Sequence, residues 1–290
     1  MAQNVDEPVS ADGGDGLVRV RLDLGYDGTD FSGWASQPDR RTVQSVLTEA
    51  LATVLRTPEL RLVVAGRTDA GVHATGQVAH LDLPAVVWDE HEPRLVRRLA
   101  GVLPGDVRVW SAVRVSADFD ARFAALWRRY SYRITDADGG PDPLRRHDTV
   151  AWRRTLDADA MAAAAEFLLG EHDFAAYCRA REGASTVRGL QRLDVVRVGA
   201  LIELTVQADA FCHSMVRSLV GALAAVGEGL RPVAWPASLL TLGRRSDNVA
   251  VAPPHGLTLL AVGYPDEAEL AARTSITRAY RGRDLSVVSD

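Results

Sequence analysis

The chain has 290 residues, enough to bury a real core as one large or two small domains, and its composition, 47% hydrophobic and 24% charged, is that of an ordinary globular protein. A formal charge of −5 taken alone argues against a nucleic-acid partner, and the two cysteines, Cys178 and Cys212, stand apart without paired-ligand spacing, so neither a disulfide framework nor a zinc site is implied. No apolar run approaches the roughly 20 residues that span a bilayer, and the expectation is a soluble, cytoplasmic protein.

Residues 1–16 are acidic and poor in apolar side chains, which reads as a disordered tail and not as a signal or transit peptide. This tail holds Asp6, Glu7, Asp12 and Asp15 and no arginine, so it supplies most of the negative charge and leaves a near-neutral body. Within that body, residues 94–154 carry 13 arginines against 7 acidic residues. Every basic residue of the chain is arginine. A local basic excess of this kind suits a phosphate-backbone partner, though a solvated surface explains it nearly as well.

Residues 17–25 alternate apolar and polar side chains, the period of a half-buried strand. After the loop Tyr-Asp-Gly-Thr-Asp-Phe-Ser-Gly-Trp, Thr42 can cap a helix whose apolar positions are Val43, Val46, Leu47, Ala50, Leu51, Val54 and Leu55, with Pro58 just past its end. Strands are predicted over 60–65 and 77–83, a helix over 94–100 and a strand over 106–115. That order is a split β-α-β unit. The second half repeats it: a strand over 129–135, an alanine-rich helix over 157–169, a hairpin of 193–198 with 201–208, a helix over 211–226 capped by Gly227, and a last strand over 257–264. The stretch beyond Pro265 shows no clear element. The expected fold is therefore α+β: two ferredoxin-like halves, 17–115 and 116–265, making one extended, mainly antiparallel sheet with helices on one side, between the 1–16 tail and a 266–290 tail.

The most unusual stretch is Ala-Gly-Arg-Thr-Asp-Ala-Gly-Val-His-Ala-Thr-Gly-Gln-Val-Ala-His over 65–80. It follows an apolar run, yet gathers three glycines, Arg67, Asp69, His73 and His80. A loop held by strands on both sides is where chemistry tends to sit. Asp69 can be a turn aspartate bonding its own backbone, or a carboxylate held ionised by the nearby arginine, which suits a nucleophile or base better than a general acid. Asp69, His73 and His80 could also hold a metal, but no paired-histidine spacing on one helix face supports this. On the strand after Trp127, Tyr130 and Tyr132 face one side, either as a core pair or as a platform for an unstacked base. Arg217 lies in an apolar helix, where a basic side chain snorkels outward unless a carboxylate awaits it.

Taken together these stretches resemble the tRNA pseudouridine synthase A family. The resemblance is carried by Tyr26-Asp-Gly-x-x-Phe-x-Gly-Trp34, Thr42-Val-Gln44, Ala65-Gly-Arg-Thr-Asp-Ala-Gly-Val-His73 with Gly76-Gln-Val78, Leu103-Pro-Gly-Asp106, Phe119-Asp-Ala-Arg-Phe123, Arg129-Tyr-x-Tyr132, Leu168-x-Gly-x-His-Asp-Phe174, Met215-Val-Arg217 with Gly221, and Gly256-Leu257. They run in order over nearly the whole folded chain. The resemblance implies an isomerase that converts uridine to pseudouridine at positions 38–40 of the tRNA anticodon arm. It implies Asp69 as the catalytic aspartate, Arg67 beside the extruded nucleotide, Arg217 ion-paired with Asp69, Tyr130 stacked on the target base and Leu257 lining the pocket. It further implies two α/β halves forming one long sheet with a basic RNA-binding cleft between them, a homodimer, and no metal or organic cofactor. Two departures stand out. Ala100 and Val102 replace the family's usual asparagine near the Leu-Pro-Gly-Asp turn, and the loop after Trp34 reads Ala-Ser-Gln-Pro-Asp-Arg-Arg instead of beginning with glutamine. Two rival readings are a non-enzymatic RNA-binding protein, which would need no Asp69 with Arg217, and a metal-dependent hydrolase using Asp69, His73 and His80.

Overall fold

The structure, a computed structural model, describes residues 16–179 and 185–283, with side chains described as far as residue 277. Strand β1 (Leu17–Tyr26) keeps the predicted alternation: Val18, Val20, Leu22 and Leu24 are buried on one face, while Arg19, Arg21 and Asp23 look the other way. Helix α1 (Val43–Leu55) starts where Thr42 closes a capping box with Ser45, and Arg56 ends it in the left-handed region. The strand predicted over 60–65 narrows to β2 (Val63–Val64), whose pairing covers two residues of β3 (His73–Pro84). In place of one helix over 94–100 there are two, α2 (Ala85–His91) and α3 (Leu95–Val102), parted by a tight turn at Glu92–Arg94. Pro93 in that turn has no N–H to continue the α-helical ladder. β4 (Val107–Val115) closes this half.

The second half contains β5 (Trp127–Thr135), β6 (Val150–Ala151), α4 (Ala158–Glu166), β7 (Gly170–Asp173), β8 (Val187–Val198), β9 (Leu201–Ala208), α5 (Met215–Gly227), α6 (Trp235–Ser238), β10 (Leu257–Gly263) and α7 (Leu270–Arg283). Three expectations change here. Helix α5 begins at Met215 and not at 211, and Gly227 is its last residue; the left-handed position after it falls on Gly229. The C-terminal stretch read as a tail holds α7, anchored by Leu270. Cys178 and Cys212 are joined as a disulfide, their Cα atoms 5.6 Å apart across 34 residues of sequence. Sequence spacing gives no hint of that pairing, because the return of the chain through β8 and β9 makes it.

All ten strands form one α+β sheet, mainly antiparallel, in the order β4-β1-β3-β10-β5-β9-β8-β7, with β2 beside β3 and β6 beside β5. The two halves meet where β10 runs parallel to β3, through Thr258↔His73 and Leu259↔Ala74. β1 occupies one edge of β3, so β2 and β10 share the other: β2 at its end, β10 at its start. The loop from β2 to β3 therefore emerges at the seam between the halves. One continuous core covers one face, drawing on α1, α3, α4 and α5 together with both sets of strands. The expectation of helices on one side holds for these four, but not for α7. Leu270 packs on the opposite face with Phe119, Ala121, Ala124 and Val78, a small second core that offers the C-terminal helix an apolar seat. Among the described residues no helix is long and apolar enough to cross a membrane.

Candidate active site

The loop between β2 and β3 is held by buried hydrogen bonds at its base. Gln77, fully buried, donates from Nε2 to the Gly66 carbonyl at 2.8 Å and to the Tyr26 hydroxyl at 3.2 Å, and Tyr26 shares a 2.8 Å bond with Thr68 Oγ1. Burial pushes the Tyr26 phenol up to about 12, so it stays neutral in this network. The Trp34 N–H donates to the Thr68 carbonyl at 3.0 Å. That contact needs Gly33, which sits at φ 94° and where a Cβ would lie 2.9 Å from the same carbonyl. With Thr68 turned inward and bonded, its neighbour Asp69 faces outward, a third exposed, into a cleft of about 1080 Å³.

The cleft's other wall comes from the second half. Tyr130 stands on β5, 8% exposed, with its ring edge-on to Phe211 at 5.2 Å between centroids. Burial raises its phenol above the ordinary range, and its hydroxyl makes no hydrogen bond among the described residues. Leu257, 6% exposed, opens β10 opposite Tyr132 and lines the cleft with Tyr130. Arg217 comes from the first turn of α5: its Nη1 lies 3.6 Å from Asp69 Oδ2, and its Nε donates to the Ala252 carbonyl at 2.7 Å. The backbone of α5 packs against that same segment. The Ala252 N–H donates to the Arg217 carbonyl at 3.0 Å, and a Cβ on Gly221 would stand 1.9 Å from the Ala250 carbonyl. A glycine one turn after Arg217 is what lets the arginine sit low enough to face Asp69. Arg67 is exposed at the cleft mouth and is in no ion pair among the described residues.

Asp69, Arg67, Arg217, Tyr130 and Leu257 thus line one cleft, although the sequence spreads them over nearly 200 residues. His73 and His80 do not join them as metal ligands. His73 Nδ1 accepts the Gly28 N–H at 2.9 Å, and its Nε2 faces the carbonyls of His147 and His255 at 2.7 and 3.0 Å, so neither nitrogen has a lone pair to offer. His80 Nδ1 accepts the Ala121 N–H at 3.0 Å, and burial, with Arg19 nearby, pulls its pKa down to about 4. The His73 ring thus ties the Gly28 backbone to that of His147 and His255, while the His80 ring holds the Ala121 backbone through Nδ1. Among the described residues no group of three metal-ligating side chains converges.

Three contributors escape a reading of sequence alone. Arg128, nearly fully buried, donates to the carbonyls of Asp209, Ala65 and Arg122 at 2.7, 3.0 and 2.8 Å, tying the start of the loop to the opposite wall. Phe211 supports Tyr130. His213 brings Nε2 to 3.3 Å from Asp69 Oδ1. The last two lie in a segment expected to be helical, and its non-helical path is what turns them into the cleft. The cleft walls carry six arginines against four carboxylates, a mild excess of positive charge. Of the arginine-rich run 94–154, only Arg122 and Arg128 reach these walls; Arg133, Arg145 and Arg154 are engaged in ion pairs with Asp148, Glu203 and Glu228.

Fold and site together describe an α+β protein whose arginine-bearing cleft sets the carboxylate of Asp69 beside an aromatic and an apolar side chain. The family model described as tRNA pseudouridine synthase matches residues 164–265. The chain is 62% identical to the tRNA pseudouridine synthase A of Frankia casuarinae (strain DSM 45818 / CECT 9043 / HFP020203 / CcI3), over 92% of this chain and 97% of that one. It is 59% identical to the protein of that name from Streptomyces griseus subsp. griseus, covering 92% and 95%, and 52% identical to that of Mycobacterium leprae (strain TN), covering 91% and 96%. The chain belongs to the tRNA pseudouridine synthase A family, enzymes of the isomerase class.

Proposed function

We propose that this enzyme isomerises uridine to pseudouridine at positions 38–40 of the tRNA anticodon arm, with Asp69 as the catalytic carboxylate. The observation that carries the proposal is the seating of Asp69: a carboxylate on a rigidly bonded loop, open to a cleft, with Tyr130, Leu257 and Arg217 lining the same space. The reaction breaks the N1–C1′ bond, turns the uracil while it is detached, and joins C5 to C1′; the hydrogen on C5 leaves as a proton and N1 gains one. Atoms balance without an oxidant or a second substrate.

Each residue answers a demand of that sequence of events. The uridine must leave its stack, which costs a few kcal/mol, and Arg67 at the cleft mouth is placed to fill the gap it leaves. Tyr130 supplies a π-face for the extruded base and Leu257 an apolar wall that keeps the detached uracil from exchanging with water. The Asp69 carboxylate acts on the sugar, either as nucleophile at C1′ or as a base, and Arg217 holds it through the second carboxylate oxygen. Arginines on both walls favour the phosphate backbone on either side of the target. The enzyme works in the cytoplasm as a homodimer, one subunit gripping the tRNA body while the other's cleft receives the anticodon arm.

Incubation with unmodified tRNA followed by nucleoside analysis tests this directly. Pseudouridine should appear at the expense of uridine with no change in total mass, and tRNA labelled with tritium at uracil C5 should release one tritium per product. Binding of tRNA without any product would favour a non-enzymatic RNA-binding role instead.

A further inference from the structure

The segment ahead of α5 is constrained more than the start of a helix requires. The Met215 N–H donates to the Cys212 carbonyl at 3.1 Å, closing a turn, and the Arg179 N–H donates to the His213 carbonyl at 3.0 Å. Cys212 is bonded to Cys178, so the same two chain segments are stitched twice over. Within the turn, Ser214 adopts φ 64°, a left-handed conformation that is unfavourable for a non-glycine residue. Strain of this kind persists only where the surroundings impose it. Its consequence is a direction: the backbone is reversed between His213 and the helix, and the His213 ring, about half exposed, points into the cleft with Nε2 3.3 Å from Asp69 Oδ1.

Arg217 approaches the other oxygen, Oδ2, at 3.6 Å. A carboxylate held through one oxygen can still roll about its Cβ–Cγ bond. Held through both, it has one orientation. Tyr130, Leu257 and Arg67 line the same space, but among the described residues it is His213 that comes within reach of Oδ1. We propose that His213 is a positioning residue for Asp69: its Nε2–H fixes Oδ1 while Arg217 holds Oδ2, presenting the carboxylate in the single roll angle that the sugar carbon requires. This inference rests on the reading of Asp69 as the reacting carboxylate.

The test separates the two. Single-turnover and steady-state rates with unmodified tRNA are measured for the full-length protein and for His213→Ala, His213→Gln, His213→Asn and Asp69→Asn, alongside melting temperatures and tRNA affinity. A misoriented reacting group loses rate and not affinity, so His213→Ala should lower kcat about tenfold while KM stays within about twofold. The amide N–H of glutamine can occupy the place of Nε2, so His213→Gln should recover kcat to within about threefold of the parent. Asparagine reaches only as far as Nδ1 and should not. Because the ring is half exposed, all the His213 variants should melt near the parent. Unchanged kcat in His213→Ala, a loss confined to KM, or a glutamine variant no better than alanine would each overturn the proposal, as would a melting temperature that falls in step with kcat across the series. Substantial turnover in Asp69→Asn would instead overturn the assignment of the carboxylate on which it rests.

Discussion

Arg217 and Asp69 face each other across the seam of the sheet, 3.6 Å apart, one from the start of α5 and the other from the loop between β2 and β3. The pair is only partly enclosed, with side chains 18% and 33% exposed, and its arginine has a second anchor in the 2.7 Å bond from Nε to the Ala252 carbonyl. Removing one member of a fully buried pair typically costs about 3–5 kcal/mol; here the long contact and the access of water reduce that to about 1–2 kcal/mol. Arg217→Met should therefore lower the melting temperature modestly and turnover severely. Asp69→Asn should abolish product while tRNA binding persists. In the double variant part of the stability should return, because the carboxylate left unpaired is gone; purely additive losses in chemical denaturation would show that the two charges do not interact.

Tyr130 bears on binding instead. Its ring meets Phe211 edge-on, and its hydroxyl has no hydrogen-bond partner among the described residues, so the ring and the hydroxyl can be tested apart. If stacking is its role, Tyr130→Phe should keep tRNA affinity and Tyr130→Leu should lose about 1–3 kcal/mol in a filter-binding or fluorescence titration. Equal losses in the two variants would assign the effect to the hydroxyl.

His80 sets a pH dependence of stability. Burial, helped by Arg19, holds its folded-state pKa at about 4, below the 6.5 of a free imidazole, and its Nδ1 must stay unprotonated to accept the Ala121 N–H. Between pH 6.5 and 4 the unfolded chain takes up this proton and the folded chain does not. Stability should accordingly be complete above pH 6.5 and fall as pH drops toward 4, by on the order of 3 kcal/mol, with His255, lowered by burial and by His73, acting in the same direction. Urea denaturation at a series of pH values measures this. His80→Asn, whose side-chain oxygen can take the Ala121 N–H, should flatten the slope; an unchanged slope would mean that another group titrates in the window.

Much of this arrangement can be read from the sequence, and the parts that cannot share a cause. Alternation in β1 and apolar spacing in α1 mark their buried faces directly, and the glycine-rich loop after β2 announces itself by composition. The parallel seam of β3 with β10 rests on two residue pairs, Thr258↔His73 and Leu259↔Ala74, and no local pattern encodes a contact made across 185 residues. Phe211 and Met215 are four residues apart, so helical period alone extends α5 back to 211; the left-handed position that breaks it falls on a serine, with no glycine to mark it in the sequence. That error concealed His213. In α7 the buried anchor is Leu270, too little apolar surface to set a period. The disulfide joins residues whose neighbours in sequence are unrelated. What is legible is local; what is missed is made by tertiary contact.

Uridines at positions 38–40 have different neighbours in different tRNAs, so an enzyme acting on them must grip shape and phosphate more than base edges. The cleft supports that kind of grip unevenly. Arg19 is paired with Asp82 at 2.7 Å and Arg128 is bonded to three carbonyls, whereas Arg61 and Arg67 are exposed and in no ion pair among the described residues. Affinity for tRNA should fall steeply between 50 and 200 mM salt, and Arg61→Ala should lessen the slope of log K against log salt by about 1 if Arg61 meets one phosphate. Arg19→Ala should change that slope little, since its charge is already engaged. Pseudouridine mapped across a pool of unmodified tRNAs should then appear at positions 38–40 in several species with unlike sequences. Modification confined to another position, such as a T-arm uridine, would overturn the site assignment and leave the role proposed for Asp69 standing, because that role does not depend on which uridine enters the cleft.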